Sequence, residues 1–321
     1  EGPALFAILE DAAYQNMDGM MPYPQARGVM RLRAKSHGGV FVAMSNARTV
    51  QSQWENTGPD TVETPVSGYS TAIHPLASPL KDATPWVRWL NRDELARLAD
   101  ATIGARVPHT AVRALSKALE SGPVLLSIPQ DSTSEALSCA KCHRQARCAK
   151  CSGPLQLPAD RSESVPRCQW CGAAAIHWTC PGCGHERMRV VRVGAAGTAA
   201  ELAGLFRGVP MVLSSKAQGL VRDVPCKPMI VIATPGFEPR VRPVSNERGA
   251  AGHEYRAVAI LDAWTSLYAL GVDARLDTLT AWMRAVSLCA PRSRGGQALI
   301  LGETDPAIAQ SLMMWLSLIH I

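Results

Sequence analysis

Residues 139–151 read CAKCHRQARCAKC, two Cys-x-x-Cys knuckles separated by five residues. Two more follow, CQWC (Cys168, Cys171) and CPGC (Cys180, Cys183), so eight of the ten cysteines share one stretch and one spacing. A disulfide framework suits a small secreted scaffold without a core. This chain has 321 residues, 47% of them apolar, and no basic segment leading into an apolar run at its start. A redox pair needs one Cys-x-x-Cys at a helix start, not four in series. Structural zinc accounts for all eight, because soft thiolates at this spacing close a tetrahedral ion.

Spacing also indicates which knuckles share an ion. Cys148, Cys151, Cys168 and Cys171 form C-x2-C-x16-C-x2-C, within the zinc-ribbon window. Joining Cys139 and Cys142 to Cys148 and Cys151 would leave five residues to reverse the chain. The outer knuckles, Cys139/Cys142 and Cys180/Cys183, are therefore expected to hold one zinc, nested around a second at the inner four. His143, His177 and His185 are alternative ligands, and Cys226 and Cys289 read as buried structural thiols. A segment this small cannot bury enough apolar surface alone; each zinc would add on the order of 10 kcal/mol.

The flanks alternate between strand and helix patterns. ALFAIL, a helical YPQARGVMRLRA, GGVFVAMS and NARTVQSQW occupy the first 57 residues, and residues 58–90, rich in Pro, Thr, Ser and Gly, read as a linker or long loop. A helix around His109–Leu119 and the strand PVLLSIP precede the cysteines. After them come RMRVVRV, the helix TAAELAGLF, the strands PMIVIAT and AVAILD, the helix RLDTLTAWMRAVSL, the strand QALILG and the helix PAIAQSLMMW. This order predicts an α/β fold with a parallel sheet into which the cysteine segment is inserted. The apolar runs fall far short of the ~20 residues of a membrane span, so a cytoplasmic protein is expected. The chain lacks an initial Met and opens into a strand, which reads as a fragment; the closing LSLIHI fits no cap or tail pattern.

Net charge is +6, with 33 basic against 27 acidic residues. Around the knuckles lie Lys141, Arg144, Arg147, Lys150, Arg161, Arg167, Arg187, Arg189 and Arg192, with Trp170 and Trp178. Two readings stand: a DNA- or partner-binding face with stacking tryptophans, or a solvated surface whose tryptophans form a minimal core.

Four knuckles in an α/β context, followed by RVVRVGAAGTAAELAGLFRGVPM, resemble the PriA family of primosomal replication-restart proteins. The resembling segment runs through Val193-Gly194-Ala195-Ala196-Gly197-Thr198, Glu201-Leu202 and Phe206-Arg207-Gly208-Val209-Pro210. The resemblance covers most of the chain, is strongest over 121–213, and points to the actinobacterial branch, which lacks recognisable helicase motifs. It implies RecA-like helicase lobes and the nested zinc pairing. The family's D-E-E-H box falls on Ala7, Ile8, Leu9 and Glu10, or on Glu10-Asp11 if shifted; its S-A-T motif corresponds to Ser45-Asn46-Ala47. Its G-T-Q segment stands here as Ala233-Thr234-Pro235-Gly236, and the arginine-finger motif as SLCAPRSRGG, where Arg292 or Arg294 could survive. The family's Walker A loop falls upstream of residue 1.

The implied organisation is a remnant of the first helicase-like lobe over 1–60, an irregular linker over 61–103, a second lobe over 104–138 and 184–316, and the two-zinc insertion over 139–183. The implied function is recognition of abandoned or stalled forks, primosome assembly and reloading of the replicative helicase, with a degenerate helicase site and no catalytic or nucleotide-binding residues assigned. The implied partners are forked or single-stranded DNA, primosome and helicase-loading proteins and single-stranded-DNA-binding protein, with no membrane. Two alternatives stay open: an active ATP-dependent 3′–5′ DNA helicase, and a zinc-ribbon scaffold that contacts only protein.

Overall fold

The computed structural model describes residues 5–10, 25–57, 73, 75–129, 134–142, 144–158, 165–193, 195–242, 253–268 and 273–316. The chain divides into two compact units, one of residues 1–80, 271–284 and 306–321, the other of 81–270 and 285–305.

In the first unit, β1 (Leu5–Leu9), α1 (Ala26–Ser36) and β2 (Val40–Met44) form a β-α-β unit with parallel strands, followed by α2 (Val50–Thr57). Arg27 and Arg31 of α1 both reach Glu55 of α2, Arg27 at 2.6 Å. These elements lie where the strand and helix patterns put them.

The second unit carries α3 (Ala77–Ala83) at its boundary, β3 (Trp86–Leu90), α4 (Arg92–Arg97), α5 (His109–Leu119), β4 (Val124–Ser127) and β5 (Ser134–Cys139). The ribbon β6 (Leu155–Gln156) and β7 (Arg167–Cys168) follows, then β8 (Met188–Val193), α6 (Ala195–Leu205) and β9 (Met211–Ser214). In sequence α7 (Ala274–Ser287), whose residues 274–284 belong to the first unit, and α8 (Pro306–Met314), also of the first unit, flank β14 (Gln297–Leu301); β10 (Asp223–Val224), β11 (Ile230–Ala233), β12 (Arg240–Val241), β13 (Ala257–Ile260) and β14 complete the second unit. Its central sheet has six strands in the order β3-β14-β13-β4-β11-β9, every neighbour parallel. β4, β11 and β13 are buried on both faces, which is why VLLS, IVIA and AVAI are continuous apolar runs and not alternating ones. Val124, Leu126, Ile230, Ile232, Ala257 and Ala259 pack on one face with Leu95 of α4, Leu115 of α5 and Leu202 of α6.

β3 lies inside the stretch read as linker. Its WVRWL run buries Val87 and Leu90 and leaves Trp86, Arg88 and Trp89 at least partly exposed, as befits an edge strand with only β14 beside it. RMRVVRV is a strand, but β8 pairs antiparallel with β5 alone and forms a two-stranded stalk outside the central sheet. All eight clustered cysteines lie on the span from the last residue of β5 to β8, inside the crossover from β4 to β9. Among the described residues no helix is long and apolar enough to cross a membrane.

The start of α5 has an unusual cap. Pro108 stands at its N-cap position with no side-chain hydrogen bond. Asp100 takes that role instead: one carboxylate oxygen accepts from the backbone N–H and hydroxyl of Thr110 at 2.7 and 2.6 Å, the other from those of Thr102 at 2.8 and 2.6 Å. Burial opposes ionisation of Asp100, but the hydroxyl and amide donors outweigh it and hold the carboxyl well below its ordinary value. A depressed folded pKa means that the contribution to stability is fully present above about pH 4 and is lost as pH falls towards the folded value. Asp100→Asn is therefore expected to cost on the order of 1 kcal/mol at pH 7 and progressively less below pH 4. Chemical denaturation at both pH values checks this, and an equal loss at both would remove the charge from the explanation.

Candidate metal centre

The cysteine-rich segment is built from one backbone pattern used four times. In each knuckle the N–H of the first cysteine donates to the carbonyl five residues on: Cys139 to Arg144 at 2.7 Å, Cys148 to Gly153 at 2.8 Å, Cys168 to Ala173 at 2.9 Å and Cys180 to His185 at 2.9 Å. The first sulfur in turn accepts backbone N–H groups, from Cys142 at 3.5 Å, from Lys150 at 3.4 Å and from Trp170 at 3.4 Å. The fourth residue after the first cysteine takes a left-handed conformation in each described case: Ser152 at φ 61°, Gly172 at 70° and Gly184 at 69°. Gly153 is needed for a different reason, since a Cβ there would lie 2.8 Å from the Cys168 sulfur and 2.9 Å from the Trp170 ring.

The knuckles converge in two groups, Cys139 with Cys142, Cys180 and Cys183, and Cys148 with Cys151, Cys168 and Cys171, the sulfurs of each group lying within 4.8 Å of one another. This is the nested arrangement expected from spacing. The outer group places Cys139 3.6 Å from Cys183 and Cys142 3.5 Å from Cys180. In the inner group Cys148 is 3.7 Å from Cys171, and Cys151 is 3.4 Å from Cys168 and from Cys171. A disulfide would bring two sulfurs to about 2 Å. Four thiolates about 2.3 Å from a central ion stand about 3.8 Å apart, close to these separations. Each group therefore fits a four-thiolate metal ion.

Two thiols of each group are driven in opposite directions by their surroundings. Burial opposes ionisation of Cys139, but the N–H groups of Cys142 and Lys141 overcome it and bring the thiol to about 7. Burial pushes Cys142 up to about 12. In the inner group the N–H groups of Cys151 and Lys150 lower Cys148 to about 7. The N–H of Gly153 favours the Cys151 thiolate, but its crowded neighbours Cys168 and Cys171 prevail and raise it to about 12. A divalent cation removes this conflict by letting all four sulfurs carry charge. Of the alternative ligands, His177 and His185 belong to neither group, and His143 lies outside the described residues. Cys289 is buried and its thiol is pushed up to about 12, as expected of a structural thiol. Cys226 is only half-buried.

The two tryptophans differ in burial. Trp178 is buried and donates from Nε1 to the Arg147 carbonyl at 2.9 Å, within a small core with Leu137, Ala146 and Leu155. Trp170 is 46% exposed. Of the basic residues, Arg144, Arg147 and Arg189 line one cavity of about 510 Å³ that also borders the C-terminal ends of β3 and β14. Lys141, Lys150, Arg167 and Arg187 do not line it; Arg161 and the Arg192 side chain lie outside the described residues.

The opposite wall supplies Arg92 and Arg106, which the sequence reading passed over. Arg92 donates to the Cys142 carbonyl at 2.7 Å and so ties an outer knuckle to α4. Arg106 forks onto Asp262 at 2.9 and 2.5 Å and reaches Thr198 at 2.6 Å and Glu201 at 3.0 Å. Thr198 and Glu201 belong to the segment that carries the family resemblance, so half of this network was visible as a motif.

The positions of the helicase motifs are scattered over the two units. Ala7, Ile8 and Leu9 end β1, and Glu10 follows at φ 55°, accepting from Ser45 Oγ at 2.9 Å and Asn46 Nδ2 at 2.7 Å. Asp11 lies outside the described residues. Ala233 ends β11 and is followed by Thr234-Pro235-Gly236; Arg292 and Arg294 sit in a 3-10 turn before β14.

Fold and site together define a mixed α/β protein with a parallel central sheet, carrying a pair of nested four-cysteine clusters that could bind metal ions. No protein-family model matches the chain. It is homologous to proteins named "Probable replication restart protein PriA" in mycobacteria: 34% identical over 313 residues to that of Mycobacterium leprae, and 33% over 329 residues to those of Mycobacterium bovis and Mycobacterium tuberculosis strain H37Rv. Each alignment takes in 97% of this chain and 45% of the relative, so the chain spans rather less than half the length of these proteins. Mycobacterial relatives are those the resemblance to the actinobacterial branch leads one to expect.

Left-handed backbone at Ser152 costs about 1 kcal/mol that glycine would not. Ser152→Gly is expected to raise the chelator concentration that half-unfolds the segment, and Gly172→Val to lower it. Tryptophan fluorescence during chelator titration reads both, and opposite shifts would show that the knuckle backbone does not limit stability.

Proposed function

We propose that this chain is part of a replication restart protein that recognises abandoned or stalled forks and helps to assemble the primosome. The observation that carries the proposal is the 31–34% identity over 97% of the chain to proteins named for replication restart. On this reading residues 1–60 are the remnant of a first RecA-like lobe, 61–103 a linker, 104–138 with 184–316 a second lobe, and 139–183 the inserted two-metal segment. Its partners would be forked or single-stranded DNA, primosome and helicase-loading proteins and single-stranded-DNA-binding protein, and it would act in the cytoplasm.

The metal is proposed to be zinc, held by Cys139, Cys142, Cys180 and Cys183 and by Cys148, Cys151, Cys168 and Cys171. A zinc ion held by four thiolates has no open position and supplies folding energy, not chemistry. Metal analysis of protein purified under reducing conditions is expected to return two zinc ions per chain, and Cys148→Ser one. A single ion in the unaltered chain would refute the pairing.

Arg144, Arg147 and Arg189, converging on the cavity beside the knuckles, support DNA contact by this segment. Arg187, immediately before β8 and outside that cavity, is a fourth candidate. Each phosphate contact on duplex contributes about 0.9 to the slope of log affinity against log salt. The double variant Arg144→Gln/Arg189→Gln is expected to reduce that slope by about 2 on forked DNA; an unchanged slope favours the protein-only scaffold.

ATP hydrolysis at a helicase rate is not expected. Phosphoryl transfer relies on a metal-binding carboxylate, a water-orienting group and an arginine finger acting together, and loss of the finger alone typically costs 10³–10⁵-fold. Here Ala7, Ile8 and Leu9 stand in the acidic box, and Glu10 is already engaged by Ser45 and Asn46. A DNA-stimulated turnover near 1 s⁻¹ from the full-length protein, abolished by Glu10→Gln, would establish the active-helicase alternative.

A further inference from the structure

The N-terminal edge of the central sheet carries a second basic surface, within the same unit as the cysteine clusters but away from the cavity they border. A groove of about 710 Å³ is lined by Arg88, Arg113, Lys117, Arg256, Arg292 and Arg294, with no carboxylate in its lining. These cations come from four separate places: β3, one face of α5, the residue before β13, and the 3-10 turn that precedes β14. The negative end of a helix accounts for a lysine in the last turn of α5. It does not account for the other five.

Most of this charge is uncompensated. Arg88 has Glu94 at 3.8 Å, and Arg294 pairs with Glu254. Arg113, Lys117, Arg256 and Arg292 meet no carboxylate among the described residues; Arg256 reaches only the Ser121 carbonyl, at 3.3 Å, and Arg292 Nε is buried without a hydrogen-bond partner. Like charges converging on one concavity repel one another, and a surface of this kind raises the local concentration of anions. Trp86 stands at the groove, half exposed, with the Arg88 guanidinium 5.2 Å from its ring centroid. Gly295 and Gly296 leave the floor without side chains, and a Cβ on Gly296 would overlap the Ala290 carbonyl.

We infer that this groove binds the phosphodiester backbone of a single-stranded nucleic acid, with a base packed against Trp86. Several cations at different heights suit a run of phosphates, and one exposed indole suits an unpaired base. The inference rests on the charge and shape of this edge and is independent of the metal clusters and of the restart reading.

The test is anisotropy of a labelled oligothymidylate bound to the full chain between 50 and 200 mM salt. Arg113→Gln/Lys117→Gln, both on the exposed face of α5, is expected to weaken binding about tenfold at 100 mM salt and to lower the log–log slope by about 1.4, since each single-strand phosphate contributes about 0.7. Trp86→Ala is expected to weaken binding with the slope unchanged, and Trp86→Phe to restore most of it. Unlabelled oligothymidylate displaces the probe, whereas ATP at equal phosphate concentration does not. An unchanged slope in the Arg113/Lys117 variant overturns the inference, including the case in which Arg144→Gln/Arg189→Gln alone lowers it, which would place all contact at the cysteine segment. Displacement by ATP, or by polyglutamate as readily as by the oligonucleotide, overturns it in favour of a nucleotide or an acidic protein. Matched unfolding midpoints for the variants exclude loss of fold as the cause.

Discussion

Parallel pairing of β4 with β13 on one side and β11 on the other constrains the rest of the second unit. A chain that leaves the C-terminal end of one parallel strand must cross to the N-terminal end of the next, so a long insertion in that crossover emerges at the C-terminal edge. The cysteine-rich segment does so between β4 and β9, on the antiparallel stalk of β5 and β8. That edge is where open α/β sheets form their binding crevices. The cavity with Arg106 on one wall and Arg144 on the other is a consequence of this placement.

The segment meets the sheet through few contacts of defined chemistry. Its own core is small, formed by Leu137, Ala146, Leu155 and Trp178 with the cysteines themselves. What makes it a folded object is the repeated knuckle, in which backbone amides turn inward to sulfur and a left-handed residue turns the chain away. Arg92 then fixes one knuckle to α4 through a carbonyl, which holds position without needing a particular side chain on the other side.

A packed sheet and a phosphoryl-transfer site obey different physics. A buried strand such as IVIA tolerates substitution while it stays apolar and of similar volume. A phosphoryl-transfer site has no such tolerance, because each group acts only when the others are in place. Glu10, Ser45 and Asn46 hold one another where β1 and β2 end side by side. Arg292 and Arg294 of SLCAPRSRGG lie beside α5 and β3.

The two cysteine groups and the continuous strands were legible in the sequence because both are local. A Cys-x-x-Cys turn closes within six residues, and the spacing between turns leaves few ways to bring four sulfurs together; VLLS and AVAI announce burial on both faces by lacking any polar alternation. Edge position and partner choice were not legible. WVRWL reads as irregular until β14 lies beside it, and MRVVRV cannot say that its partner is β5 and not the central sheet. Nor does any window of sequence bring Arg88, Arg113, Arg256 and Arg292 together, for Arg88 and Arg292 lie 204 residues apart and the four share a groove because β3, β14 and β13 are parallel neighbours with α5 beside them. Local backbone geometry decides the first kind of feature, and long-range strand pairing alone decides the second.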